Sequence, residues 1–281
     1  MSIGYGVGAG IWVDGIFKIS DPGLAVITPL LLGAAAPIGV YFWDEAAPFH
    51  RGVPSSMATG LGLGAVEGLA ISGVHWQATG NGAISSKSFQ GYSTLTLVMA
   101  TGGGAGGFFF GEALRPDPRS LGFIASGAGW GAISGTLFGI GVSGRDWKDG
   151  ASIAGLVGYN AGIVATGALS FVWVPSWKSQ QYMWLGHLGG SALGSLVFVA
   201  YLFSDDDAKH GFIGTSVGGL AGLGVAAAFT ANLKDDDSAP PGGKAKIFKQ
   251  PFQLGLAPLP GIPGSPGAGP KGTMLSAYGD F

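Results

Sequence analysis

Cysteine is absent from the chain. There are therefore no disulfides and no thiolate chemistry, which suits an exported protein and a cytoplasmic-membrane protein equally. Charge is scarce. Asp, Glu, Lys and Arg make up 11% of the residues, against about 25% in ordinary soluble domains. The net charge of -2 leaves no broad basic surface, so nucleic acid is not an expected partner. Residues 1–22 lack a basic stretch followed by an apolar one, and no signal peptide is read there. An exported protein would then be the mature form with an added Met. Catalytic and metal-binding motifs are missing as well. The four His are scattered, with no HExxH, and no Ser in a Gly-x-Ser-x-Gly elbow has a matching base. Gly102–Gly107 runs into Phe108–Phe110 rather than the Lys-Ser/Thr of a phosphate loop. Asp205–Asp207 and Asp235–Asp237 do not have EF-hand spacing and read as solvated loops. The expectation is no enzyme, no cofactor and no metal.

Glycine fills the space that charge leaves. It supplies 55 of 281 residues, far above the usual ~7%. No strict Gly-X-Y period runs through the chain, so collagen is excluded. Positive mean hydropathy argues against disorder. The clearest stretch is Gly127, Gly131, Gly135 and Gly139, with Trp, Ile, Leu and Phe between them. On a helix, residues four apart lie one above another. Stacked glycines leave a groove through which a second helix can approach closely. In a bilayer that closeness matters, because no hydrophobic force drives helices together there.

Six gaps between successive charged residues, at 22–43, 88–111, 120–144, 150–177, 179–204 and 210–233, each hold 22 to 28 residues. A spanning helix needs about 20. A seventh candidate, 57–76, contains only Glu67. The expected fold is an all-α membrane protein, a glycine-zipper bundle of about seven transmembrane helices at 24–43, 57–76, 92–113, 120–143, 151–174, 181–203 and 211–232. Its packing residues are Gly60, Gly64 and Gly68; Gly127, Gly131, Gly135 and Gly139; Gly158 and Gly162; Gly186, Gly190 and Gly194; and Gly214, Gly218 and Gly222. Gly, Ser, Thr and Ala keep the spans only modestly apolar, so the helices should depend on one another. Rows beginning at Gly60, Gly127 and Gly186, and at Gly102, Gly158 and Gly214, suggest three repeated hairpins. Each is preceded by a proline at Pro54, Pro118 or Pro175. Trp43, Trp76, Trp147, Trp173, Trp177 and Trp184 fall near span ends, as an interfacial belt requires. The competing architecture is an outer-membrane β-barrel, whose strands are about 10 residues long and alternate in polarity. These runs are twice as long and apolar on both parities.

Three domains follow: a strand-like segment at 1–22, where Tyr5, Val7, Ala9, Ile11 and Val13 alternate with small residues; a helical domain at 23–233; and a Pro/Gly-rich tail at 234–281. In the tail, 252–257 and 272–281 are strand-like and suited to pair as a hairpin. Glu67 is the only acid well inside a span, and an ionisable group at that depth demands a partner or a function. Asn160 and His187 are its candidate partners. The bland reading is a helix–helix hydrogen bond; the sharper one is a polar path of Glu67, Asn160 and His187 through a pore or transporter.

The run Tyr5-Gly-Val-Gly-Ala-Gly-Ile-Trp-Val-Asp-Gly15, with Arg51–Ser55, Leu114–Ser120 and Phe252–Pro258, resembles a group of exported glycine-rich proteins of myxobacteria and relatives. The resemblance implies a bacterial envelope location, the outer membrane ahead of the inner, and carries over no catalytic residue. The glycine spacing also resembles other glycine-zipper membrane proteins, including mitochondrial inner-membrane protein translocases. The functional expectation is a structural or assembly protein of the envelope. Its expected partners are membrane lipid and, through the C-terminal tail, further copies or envelope proteins.

Overall fold

The structure is a computed structural model that describes residues 1–79, 86–143, 147–201 and 208–235, and the backbone of 253–258 and 273–278. In chain order, α1 (Ser2–Phe17) and α2 (Leu24–Ala46) come first, then α3 (Val53–Ala78) and α4 (Ser86–Leu114). They are followed by α5 (Pro118–Val142) and α6 (Trp147–Leu169), then α7 (Trp177–Gly194), the short α8 (Val197–Tyr201) and α9 (His210–Thr230). Two strands, β1 (Gln253–Pro258) and β2 (Thr273–Tyr278), pair antiparallel with Gln253 opposite Tyr278. The chain divides into two units, Met1–Lys234 with the helices and Asp235–Phe281 with the strands. Asp205–Asp207, Asp236, Asp237 and parts of the loops expected inside the hairpins (80–85, 144–146 and 204–207) lie outside the described residues.

Among the described residues, six helices are long and apolar enough to cross a membrane: Leu24–Ala46, Val53–Ala78, Pro118–Val142, Lys148–Leu169, Trp177–Tyr201 and His210–Thr230. The helical unit is that of an all-α membrane protein, and the β-barrel alternative falls with it. α4, the expected third span, is helical over 29 residues but is not among the six. Its first half is filled by Ser, Thr, Gln and Tyr.

The strand expected near the N-terminus is instead α1, a helix of 16 residues. Small residues at every second position also produce a row at every fourth. Gly6 and Gly10 form that row, are buried, and lie against the backbone of Leu32, Gly33 and Pro29 on α2. Proline inside α2, at Pro29 and Pro37, removes a hydrogen bond at each position. At Pro29 the backbone gains a close neighbour in Gly10.

The helices lie in a single row, α2–α1–α4–α3–α6–α5–α9–α7, each packed on the next. Within it, α1–α2, α3–α4, α5–α6 and α7–α9 are the closest pairs, and α3 and α7 also touch α5. Local sequence starts these helices cleanly. The Asp117 side chain accepts the Arg119 backbone N–H at 2.8 Å and caps α5, with Pro118 in its first turn. Ser176 caps α7 by accepting from the Ser179 backbone N–H at 3.1 Å. α3 begins after Gly52, whose φ of +95° is one that side chains rarely adopt. A Cβ there would also press on the carbonyl of Pro116. The buried apolar centre is Phe123, Trp130 and Met183, with Trp173, Trp184 and Leu223 around it. Trp173 and Trp184, expected in an interfacial belt, thus turn inward; Trp184 lies 5.4 Å from Trp130 with the rings tilted at 50°.

Candidate functional sites at the helix seams

Two kinds of seam alternate along the row. Inside the closest pairs, glycine meets backbone. A Cβ on Gly131 would overlap the carbonyl oxygen of Gly158, and one on Gly158 that of Gly131. Gly127 and Gly162, Gly135 and Ala154, and Gly139 and Gly150 continue the same seam. In the α3–α4 pair, Gly60 meets Gly103, Gly64 meets Met99, and Gly68 meets Thr96. In the α7–α9 pair, Gly186, Gly190 and Gly194 meet Gly222, Gly218 and Gly214. All the glycines expected to pack helices therefore face the backbone of a neighbour.

One assignment within the rows needs correction. Gly102 and Gly106 have nothing within 4 Å of where a Cβ would stand, whereas Gly103, Gly107 and Gly111 form the packed row of α4. Four consecutive positions hold three glycines in this stretch, so spacing alone does not choose the row. Neighbouring contacts with α3 do.

Between the pairs, side chains make the seam. The Tyr5 hydroxyl lies 2.9 Å from Thr101 Oγ1. Trp12 Nε1 donates to Thr94 Oγ1 at 2.8 Å, and Gln90 Nε2 donates to the Gly15 carbonyl at 2.8 Å. These tie α1 to α4. Tyr159 donates to the Leu63 carbonyl at 2.7 Å. Asn160 Nδ2 donates to both Glu67 carboxylate oxygens at 3.0 and 3.1 Å. These tie α6 to α3. Ser216 donates to the Ser134 carbonyl at 2.8 Å, tying α9 to α5.

The polar path of Glu67, Asn160 and His187 is thus brought together only in part. Glu67 and Asn160 meet, on a seam where Asn160 is exposed. His187 is fully buried and its Nε2 lies 3.0 Å from Ser134 Oγ. No described hydrogen bond links the two groups. The Ser134–His187–Ser216 cluster was not singled out in sequence. Its signal was present: Ser134 follows Gly127 by seven residues, as Glu67 follows Gly60. Gly214-Thr-Ser216-Val-Gly218 has the spelling of a nucleophile elbow, but Ser216 lies within α9 rather than on a strand-to-helix turn. Ser134 lies in the middle of α5, where backbone N–H groups are consumed by the helix. The Ser134–His187 contact joins α5 to α7. At the end of α4, His50 Nδ1 and Glu112 Oε2, 2.6 Å apart, hold the approach to α3 against it.

Comparisons with protein-family models, with curated proteins and with solved structures return no match to this chain.

Proposed function

We propose that this chain is a structural or assembly protein of the bacterial envelope, a glycine-zipper helical membrane domain carrying a Pro/Gly-rich tail for partners. The observation that carries the reading is the continuous contact of glycine with backbone along α3–α4, α5–α6 and α7–α9, in helices whose outer faces are apolar. Such contacts suit a medium in which helices attract through close packing rather than through water. α4 completes a set of seven spans, its polar half covered by α1 and α3. The pairs α3–α4, α5–α6 and α7–α9 are then three versions of one hairpin.

The polar groups support the structural role over a conducting one. Glu67 is bonded to Asn160 across the α3–α6 seam, and His187 Nε2 meets Ser134 of α5 while its buried Nδ1 has no partner among the described residues. Placement in the outer membrane rests on the resemblance to exported glycine-rich proteins. Membrane fractionation tests the whole reading: the protein should pellet with envelope membranes and need detergent to leave them, and its far-UV circular dichroism should be dominated by helix. A chain that stays monodisperse in plain buffer overturns it.

A further inference from the structure

We propose that copies of this protein join head to tail in the membrane, with α2 of one copy laid on α7 of the next. The proposal rests on the membrane reading above and adds to it the surface through which copies associate. It follows from the order of the row. Starting at α2, every seam joins the second helix of one hairpin to the first helix of another or of its own: α2–α1, α1–α4, α4–α3, α3–α6, α6–α5, α5–α9, α9–α7. Among the described residues the row ends on a second-type helix, α2, which beyond α1 touches only Phe108 of α4 through Trp43, and on a first-type helix, α7. A contact of α7 with α2 of another copy is the one that continues the alternation.

Direction gives an independent argument. Neighbours in the row run antiparallel: Tyr5, Trp12 and Gly15 on α1 meet Thr101, Thr94 and Gln90 on α4. Gly127 and Gly135 on α5 meet Gly162 and Ala154 on α6. Copies inserted the same way round present α7 and α2 in opposite directions, like every seam inside the chain. Two α2 helices, or two α7 helices, would meet parallel in a two-fold dimer whose axis is normal to the membrane. The resulting contact is heterologous and repeats until it closes into a ring or extends as a filament.

The open faces agree with this. Seven residues into the first helix of each glycine row stand Glu67, bonded to α6, Ser134, bonded to α9 through its carbonyl, and Leu193. Leu193 is 71% exposed. Three residues in stand Leu63, Trp130 and Gly189; the first two are engaged, and Gly189 has nothing within 4 Å of a would-be Cβ. On α2, Gly33 faces α1 while Ala35 and Gly39 are exposed and Gly39 meets nothing. Only 6% of the α2 span is buried, against 39% of α5.

The absence of native cysteine permits a direct test. Single variants Ala35→Cys and Gly189→Cys, and the double variant, are oxidised in native membranes and resolved on a denaturing gel. The expected result is a ladder of dimers and higher species from the double variant, and a single linked dimer when the two single variants are co-expressed. Linked dimers from either single variant alone, or no linked species from the double one, overturn the proposal. Light scattering of the unmodified protein in mild detergent is the second readout, with mass above one chain expected and monomer contradicting it. If the chain is membrane-bound yet monomeric, the docking fails and the membrane reading stands. If it fractionates with soluble protein, both fail.

Discussion

The α5–α6 hairpin and the α1–α2 hairpin are closed by the same contact and differ in what lies outside it. In both, glycine on one helix touches backbone on the other. α5 then gains α9, α3 and α7 as further neighbours, whereas α2 adds to α1 only the contact of Trp43 with Phe108 at the end of α4 among the described residues. The difference separates two jobs that glycine-rich sequence tends to blur. Glycine rows close a hairpin, and serine, histidine, tyrosine, asparagine and tryptophan join one hairpin to another. A hairpin at the end of the row keeps the first and lacks half of the second.

The sharpest way to break this comparison is to put bulk into the glycine seams. Gly131→Leu drives a side chain into the Gly158 backbone, where overpacking costs about 1–3 kcal/mol or more. Reversible unfolding in mixed micelles, followed by circular dichroism, should show the largest loss of the series. Gly39→Ala on the open face of α2 is the control, expected to leave stability unchanged or raise it by up to about 1 kcal/mol through helix propensity. A similar loss for both would deny that the seams are special.

The next effect belongs to the contacts between hairpins. Ser134→Ala removes the hydroxyl facing buried His187, and interhelical hydrogen bonds in membranes are worth about 0.6–1.7 kcal/mol. The same unfolding assay should register a loss in that range. Glu67→Gln should cost less, because a carbonyl acceptor remains for Asn160. Ion or dye flux from reconstituted vesicles should be the same before and after this change; a flux that Glu67→Gln abolishes would favour a conducting path.

The smallest effect lies at the cap of α5. The Arg119 side-chain hydrogen bond holds the Asp117 carboxyl below its ordinary pKa, with a backbone hydrogen bond from the same residue adding to it and burial opposing. A group depressed in the folded state stabilises fully above the ordinary value, near 4, and loses that contribution as pH falls through the folded value. Asp117→Asn should therefore flatten the acid limb of the stability curve while changing little at neutral pH. An unchanged acid limb would show that the cap is energetically silent.

Much of this was legible from charge alone. Stretches free of Asp, Glu, Lys and Arg located five of the six apolar helices because burying a charge in lipid is costly whatever the fold; the sixth, α3, carries Glu67, and the charge-free gap at 88–111 gave α4, too polar in its first half to count among them. That Glu67 would need a partner was legible for the same reason, with Asn160 one of two candidates; the structure chooses it over His187. What resisted reading was phase. Alternating glycine in 1–15 fits a strand and a helix row equally, and only the presence of α2 opposite Gly6 and Gly10 decides between them. The run Gly102 to Gly107 offers several rows, and α3 selects the one through Gly103. Trp184 carried the mark of an interfacial residue, yet its indole donates to Ser126 at 3.1 Å because Gly129 leaves room for the ring. The serine cluster was hidden because serine is unremarkable in sequence until its neighbours are known.

The order of the row bears on how the protein reaches its membrane. Reading along the chain, α4 lands on α1, α6 on α3 and α9 on α5, so each new hairpin finds its seat already made. No segment has to wait for one synthesised after its own hairpin. Insertion can proceed two helices at a time, with the emerging pair as the partitioning unit and its weakly apolar members delivered to lipid together.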